Sequence, residues 1–353
     1  MDVDLNRSLC IAVLALVLLA TACSSGGKPV SEFTTATGIV PSPTTVAPTR
    51  ASVSPKSLPS TVQLSAPSAN VVWALVDGAK LFRSEDSGDS WSQRSLPNMG
   101  GPVAGSEISF VDDQQGWLLA AASPATQCTF EATSIWHTSD GGATWQELPS
   151  TSSGAVRTVP GIAAAQCKGG LAFIDQSHGF LSASDPNSPP VIYTTSDGGN
   201  TWTASAPLPD PPGEKTSAGG FTLSPRNVQR AGGILLLGAD GWGHAYVYES
   251  TDGGATWAWA AIVPNSTDAG QVAFRDATHW WATDTASAGQ VTADSGATWT
   301  AAPARREFSS PDTVTAVFAN PETGYATADG VIRRTNDGGT HWTDVQTPGV
   351  APG

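Results

Sequence analysis

Short apolar runs separated by turn-forming residues recur along most of this 353-residue chain. Runs such as 108–111 and 171–174 are followed by an acidic residue and a short polar loop, and then by a Gly or His that precedes a second apolar run. Runs of this length, bounded by Gly, Asn and Asp, are typical of β-strands joined by tight turns. The pattern predicts an all-β chain built from antiparallel hairpins.

One eight-residue pattern, Ser/Thr-x-Asp-x-Gly-x-Thr/Ser/His-Trp, occurs six times, and its spacing of 42 to 57 residues defines an internal repeat. In each copy the Asp can accept hydrogen bonds within its own turn, and Gly supplies the positive φ that a tight reversal needs. The terminal Trp offers a large apolar face at the start of the next strand. We therefore expect structural roles for Asp86, Asp140, Asp197, Asp252, Asp294, Asp337, Trp91, Trp145, Trp202, Trp257, Trp299 and Trp342.

Each repeat contains four expected strands, which is the composition of a β-propeller blade. The sequence predicts a single propeller over 61–348 with six blades, and seven is the alternative if 205–232 contains a blade without the eight-residue pattern. Every blade contains its own four strands, so the sequence shows no obvious strand exchange where the ring closes; the region of Gln63 and Leu64 is the alternative that could provide one. The core should lie between neighbouring blades, because one blade cannot bury both of its faces alone. The six blades are expected at 61–97, 105–150, 169–207, 218–264, 270–303 and 313–348.

The eight-residue turns resemble the Asp-box, or bacterial neuraminidase (BNR), repeat. That family includes sialidases, the sortilin ectodomain, xyloglucan-cleaving enzymes and the photosystem II assembly/stability factors. The spacing and the F-x-D…G-(W/F/Y) strand pair are most similar to the last group, over 61–348. The resemblance implies a propeller whose boxes lie on the rim, away from the functional face. It implies little about function, because the family includes both enzymes and binding scaffolds.

The first 60 residues have the features of an export signal and a tether. In 1–22, Arg7 precedes an apolar stretch, and Ala-Thr-Ala stands directly before Cys23. This end resembles the lipobox of bacterial lipoproteins, in which Cys23 would be acylated; an ordinary secretory signal is the alternative. The Ser/Thr/Pro-rich segment 23–60 predicts a disordered tether, and 349–353 a short tail. We expect a protein anchored through acylated Cys23 on the extracytoplasmic face of the cell membrane.

Composition excludes several other classes. Cys128 and Cys167 remain in the expected folded region, and in an exported chain they predict one disulfide, with two buried thiols as the alternative. The net charge of −14 argues against a nucleic-acid partner. No HxH, HExxH or CxxC pattern occurs, so we expect no metal and no cofactor.

The sequence assigns no catalytic residue. A sialidase would need an arginine triad and a Tyr nucleophile with a Glu partner, and the arginine motif that this family has before its first box is absent. The acids at the expected strand ends could form a two-carboxylate glycosidase pair or could simply form loops. They are Asp113, Asp175, Asp276 and Asp284.

Two tryptophans and two arginines are the candidates for partner contact. Adjacent or alternating Trp residues on one strand should not all face inward, which favours exposure of Trp259 and Trp280. Arg305 and Arg306 form a basic stretch between blades. We therefore predict a non-catalytic cell-surface scaffold that binds or assembles an unidentified envelope protein, glycan or wall polymer. The alternative is a secreted glycoside hydrolase acting on cell-surface glycans.

Overall fold

The computed structural model describes residues 58, 62–99, 105–121, 133–148, 161–163, 166–185, 188–215, 222–264, 266, 271–282, 289–303, 308, 315–328 and 330–349. The expected signal and tether with Cys23, and also Cys128, Asp284, Arg305 and Arg306, lie outside these residues. All described residues belong to one compact unit, 53–353. Within the described ranges, no helix is long and apolar enough to cross a membrane.

Twenty-four strands in the described residues form six four-stranded antiparallel sheets, each made of four consecutive strands. The first three blades are β1 (Val62–Ser65), β2 (Val72–Val76), β3 (Lys80–Ser84) and β4 (Ser92–Arg94); β5 (Gly105–Phe110), β6 (Gly116–Ala121), β7 (Thr133–Thr138) and β8 (Gln146–Glu147); and β9 (Cys167–Phe173), β10 (Gly179–Asp185), β11 (Ser188–Thr195) and β12 (Thr203–Ala204). The last three are β13 (Ser224–Ala231), β14 (Ile234–Gly241), β15 (His244–Ser250) and β16 (Ala258–Val263); β17 (Val272–Phe274), β18 (Trp280–Ala282), β19 (Gln290–Thr292) and β20 (Thr300–Ala301); and β21 (Thr315–Phe318), β22 (Gly324–Ala328), β23 (Val331–Thr335) and β24 (Thr343–Asp344).

The six-bladed propeller is confirmed, and the alternative of seven blades is wrong. The segment 205–232 contributes β13, the first strand of the fourth blade, and not a further blade. The sequence could not decide this, because β13 is longer than most first strands and its apolar pattern is interrupted by polar residues.

The core lies between neighbouring blades. Trp73 of the first blade stacks on Phe110 of the second with ring centroids 3.7 Å apart, and Trp117 of the second stacks on Phe173 of the third at the same distance. The Phe110 ring lies where a Cβ on Gly116 would be, which explains the F-x-D…G motif. Each blade thus packs its second strand against the first strand of the next blade, and aromatic stacking adds to the area that is buried.

The expectation for Trp280 is wrong. Trp280 and Trp281 of β18 are both 1% exposed and point to opposite faces of the fifth blade. Trp280 packs with Ala261 of the fourth blade, whereas Trp281 lies 5.8 Å from Trp342 of the sixth, measured between ring centroids. An inner strand of a blade is covered on both faces, so alternating side chains are all buried. Trp259, on the outermost strand β16, is 38% exposed.

The ring closes through direct contact of the first and last blades, each of which is complete. The Trp91 Nε1–H donates to the carbonyl oxygen of Gln346 at 2.7 Å, and the Gln346 N–H donates to the carbonyl oxygen of Gly88 at 3.1 Å. The Tyr325 hydroxyl donates to the carbonyl oxygen of Ala69 at 2.7 Å. Side chains and turns therefore join the two ends of the ring without exchange of a strand.

Candidate functional site

The carboxylates of the Asp-boxes are used inside their own turns. In the second box, Asp140 Oδ1 accepts hydrogen bonds from the Thr138 hydroxyl at 2.9 Å and from the Thr144 N–H at 2.8 Å. Asp140 Oδ2 accepts the Thr144 hydroxyl at 2.6 Å, and the Thr138 oxygen in turn accepts the Gly142 N–H at 2.9 Å. The Thr144 hydrogen bonds lower the pKa of Asp140 to about 2. With both oxygens hydrogen-bonded, the carboxylate fixes the turn.

The other five boxes repeat this arrangement, with His341 in place of the second hydroxyl residue in the sixth. Each box tryptophan packs against the preceding blade. For example, the Trp145 indole N–H donates to the carbonyl oxygen of Ser95 at 2.9 Å, and Trp202 is buried with Leu148 of the second blade. The boxes therefore fasten each blade to the one before it and offer no free catalytic group.

The strand-end acids that the sequence singled out also stabilise loops. Asp175 Oδ1 accepts the N–H groups of Ser177 and His178 at 2.9 and 2.8 Å, and Asp276 makes the equivalent contacts in the fifth blade. Asp113 is hydrogen-bonded to Arg83 at 3.2 Å. None of these three acids lines the cavity at the centre of the propeller.

That central cavity has a volume of about 480 Å³ and is lined by the first strands of all six blades, β1, β5, β9, β13, β17 and β21. Side chains of one first strand accept hydrogen bonds from the backbone of the next. The donors and acceptors are Ile108 N–H to Gln63 Oε1 (3.2 Å), Phe110 N–H to Ser65 Oγ (2.9 Å), Leu171 N–H to Glu107 Oε2 (2.8 Å) and Phe173 N–H to Ser109 Oγ (2.8 Å). Glu107 thus occupies in the second blade the place that Gln63 occupies in the first.

The walls of the cavity are irregular next to Glu107. Strand pairing shifts register between β9 and β10 near Gly170, and between β13 and β14 near Arg226. In the described residues of the other four blades, the pairing of the first two strands shows no such shift. At the first shift Gly170 has a φ of 63°, and the N–H groups of Gly170 and Leu171 both reach Glu107. Bulges that re-aim side chains in this way are common next to active sites.

Three charged groups meet at these bulges. Arg226 forms an ion pair with the buried Asp240, with 2.5 Å between Arg226 Nε and Asp240 Oδ2. The Ser182 hydroxyl holds the carbonyl oxygen of Arg226 at 2.8 Å. Burial raises the pKa of the Glu107 carboxyl above its ordinary value, against the lowering effect of the two N–H donors and of the Arg226 charge. Glu107 and Asp240 both line the cavity, one with a raised pKa and the other ion-paired, and carboxyl groups in such different environments are what acid/base catalysis uses.

Sequence reasoning missed Glu107, Arg226 and Asp240. Glu107 is a charged residue in the middle of an inner strand, and alignment of the first two blades would have placed it opposite Gln63. Arg226 and Asp240 carried no such signal, because the bulge interrupts the strand pattern around Arg226. Among the described residues, no group of three or more His, Cys, Asp or Glu side chains could hold a metal ion.

No family model matches this chain. A xyloglucanase of Paenibacillus sp is 29% identical over 195 residues, which cover 51% of this chain and 18% of that enzyme. The xyloglucanase Xgh74A of Acetivibrio thermocellus is 26% identical over 196 residues, which cover 51% of this chain and 22% of the enzyme. The chain therefore spans only about a fifth of the length of these curated relatives.

Solved structures share the fold. The Hadza microbial sialidase Hz136 has a TM-score of 0.50 at 13% identity, with 82% of this chain and 66% of that chain covered. YCF48 from Cyanidioschyzon merolae has a TM-score of 0.47 at 17% identity, with 82% and 85% covered.

These findings correct the predicted function. The prediction of a non-catalytic scaffold is contradicted by the curated relatives, because both are named as xyloglucanases. The prediction failed because the Asp-boxes determine the fold but carry no information about the residues that line the central cavity. The six complete blades and the likeness to the sialidase fold identify the chain as a six-bladed β-propeller, each blade of which carries one Asp-box turn.

Proposed function

We propose that this protein is a glycoside hydrolase whose active site lies in the central cavity, where Glu107, Arg226 and Asp240 meet. The observation that carries the proposal is the pair of unlike carboxyl groups. Both line the cavity: Glu107 is partly buried, accepts the Leu171 N–H and has a raised pKa, while Asp240 is ion-paired with Arg226. The two register shifts next to this pair, and the sequence relatives named as xyloglucanases, support it.

In the proposed reaction Glu107 is the general acid. Its proton goes to the glycosidic oxygen as the bond from that oxygen to the anomeric carbon breaks. A water molecule adds its hydroxyl to the anomeric carbon, and Asp240 accepts the remaining proton. Arg226 is a positioning residue, because its guanidinium fixes the orientation of the Asp240 carboxylate.

Because Glu107 must be protonated to act, activity should fall as pH rises through its pKa. That pKa lies above the ordinary value of 4.5, so the active range should extend to higher pH than for an unperturbed glutamate.

The test is the variant Glu107→Gln. In the first blade, Gln63 accepts a hydrogen bond from the Ile108 N–H, just as Glu107 accepts one from the Leu171 N–H. A glutamine at 107 can therefore keep this hydrogen bond, and the variant should keep its fold and melting temperature. We expect kcat/KM on xyloglucan, cello-oligosaccharides or aryl β-glycosides to fall by about 100-fold or more. Asp140→Asn, in a box away from the cavity, is the matched control and should retain activity.

The proposal fails if the wild-type protein cleaves none of these substrates, or if Glu107→Gln keeps full activity while remaining folded. Equal losses in Glu107→Gln and Asp140→Asn would also contradict it, because that result would indicate a general effect on stability.

We also propose that the protein is exported and held on the outer side of the cell membrane by acylated Cys23, with a disulfide between Cys128 and Cys167. The support is the lipobox-like sequence, the Ser/Thr/Pro-rich segment after it and the small number of remaining cysteines. Mass spectrometry of the mature amino terminus tests the anchor: a diacylglycerol-modified Cys23 is expected, and an unmodified terminus would refute it.

A further inference from the structure

We infer that the central cavity takes a short oligosaccharide or the end of a glycan chain, and not the interior of a long polysaccharide. This inference rests on the proposed function for the glycan class of the ligand. Its geometric basis is the position of Glu107, the third of the six residues of β5, in a cavity whose wall includes the first strand of every blade.

A polymer can be cleaved internally when it lies across a groove that is open on two sides. The wall around Glu107 offers no such groove in the described residues, because the lining strands come from all six blades and neighbouring first strands are joined by hydrogen bonds such as Leu171 N–H to Glu107 and Gln229 Nε2 to the carbonyl oxygen of Phe274. Past this described part of the wall, a ligand reaches Glu107 along the axis of the propeller, and the end of a chain can take that path.

The size of the cavity agrees with a small ligand. Its volume of about 480 Å³ lies in the lower half of the range of roughly 300–1,000 Å³ that is typical of small-molecule sites. The bulge of β13 turns the exposed residues Arg226 and Asn227 toward this space, where they offer a guanidinium and an amide to sugar hydroxyl groups.

The aromatic residues agree with the same conclusion. The aromatic residues that line the cavity are the phenylalanines at the ends of four first strands, Phe110, Phe173, Phe274 and Phe318, and no tryptophan or tyrosine is among the lining residues. The exposed indoles of the described residues, Trp242 and Trp259, lie on the fourth blade, at a turn and on the outermost strand. A row of indoles that could hold successive units of a long chain is therefore not part of the cavity wall.

Product analysis separates the two modes of cleavage. With xyloglucan polymer as substrate, we expect small products of one size from the earliest time points, a slow loss of viscosity, and a kcat/KM at least about tenfold higher on short cello-oligosaccharides. A rapid loss of viscosity with a broad range of internal fragments would overturn the inference and leave the proposed hydrolase function intact.

Binding tests the inference without turnover. The full-length Glu107→Gln protein is titrated with cellotetraose and with xyloglucan polymer by calorimetry. We expect saturable binding of cellotetraose to Glu107→Gln. Binding should be lost when Asn227→Trp is added, because the indole would fill the central cavity, and it should be retained when Trp259→Ala is added instead. If the wild-type protein hydrolyses nothing while cellotetraose still binds in this way, the proposed function fails and the inference stands. Absence of cellotetraose binding, or binding unaffected by Asn227→Trp in a folded protein, would overturn it.

Discussion

The burial of Trp280 gives a direct test of the propeller core. Trp280 and Trp259 are the two tryptophans that the sequence singled out as surface contacts, yet the first is 1% exposed and the second 38%. Replacement of each by Ala removes the same atoms from two different environments. The pair therefore compares a residue between two blades with a residue on an outer strand.

The magnitude follows from what surrounds Trp280. Its ring lies edge-on to Phe274 with centroids 5.5 Å apart, and Ala261 of the fourth blade packs on the same cluster. A buried Trp removes about 200 Å² from water, which at about 25 cal/mol per Å² gives about 5 kcal/mol as an upper value. Allowing for relaxation around the cavity, Trp280→Ala should lower the free energy of unfolding by about 3–5 kcal/mol. Trp259→Ala leaves no enclosed cavity and should cost about 1–2 kcal/mol.

Equilibrium unfolding in urea, followed by far-ultraviolet circular dichroism, measures both variants against the wild type. The expected result is a lower midpoint for Trp280→Ala, with a difference between the variants of at least about 2 kcal/mol. Equal destabilisation by the two substitutions, or a loss below about 1 kcal/mol for Trp280→Ala, would refute the assignment of Trp280 to the core between the fourth and fifth blades.

Three further predictions concern stability. Four box aspartates have a pKa of about 2 in the folded protein: Asp140, Asp252, Asp294 and Asp337. Because their pKa in the unfolded chain is about 3.9, they stabilise the fold above that pH, and this contribution is lost as the pH falls toward 2. The melting temperature should therefore fall between about pH 4 and pH 2, and a melting temperature that does not change with pH would contradict this. Gly88→Ala adds a Cβ 2.9 Å from Val345 across the ring closure, whereas Gly232, also at positive φ, has open space. Gly88→Ala should therefore lower the melting temperature more than Gly232→Ala, and an equal shift would argue against tight closure. Cys128→Ser should lower the free energy of unfolding by about 2–4 kcal/mol in the oxidised protein, and an unchanged melting curve would argue against the disulfide.

Much of the fold was predictable from local sequence. Asp, Gly and Trp at fixed spacing determine each box, because the hydrogen bonds of a turn such as Thr138–Thr144 join residues within seven positions of one another. Six such turns, with apolar runs between them, require at least six hairpin-rich units, and these units can bury their faces only against one another. The repeat was therefore predictable from the sequence before any contact between blades was known.

The candidate site was not predictable in the same way. Glu107 comes from the second blade and Arg226 and Asp240 from the fourth, and two bulges whose positions depend on strand pairing bring them together. The sequence directed attention instead to strand-end acids such as Asp175, which use their carboxylates in loops.

The sequence by itself thus determined the repeat, the box turns and the all-β class, because each depends on residues close together in the chain. Tertiary structure decided the burial of Trp280, the number of blades and the meeting of Glu107 with Arg226. Those features depend on which faces the neighbouring blades cover and on where the strands shift register. The physical reason is the sequence separation of the residues in contact. The hydrogen bonds of a turn join residues that are close in the chain, whereas burial between blades and charge pairing in the central cavity form only once the ring has closed.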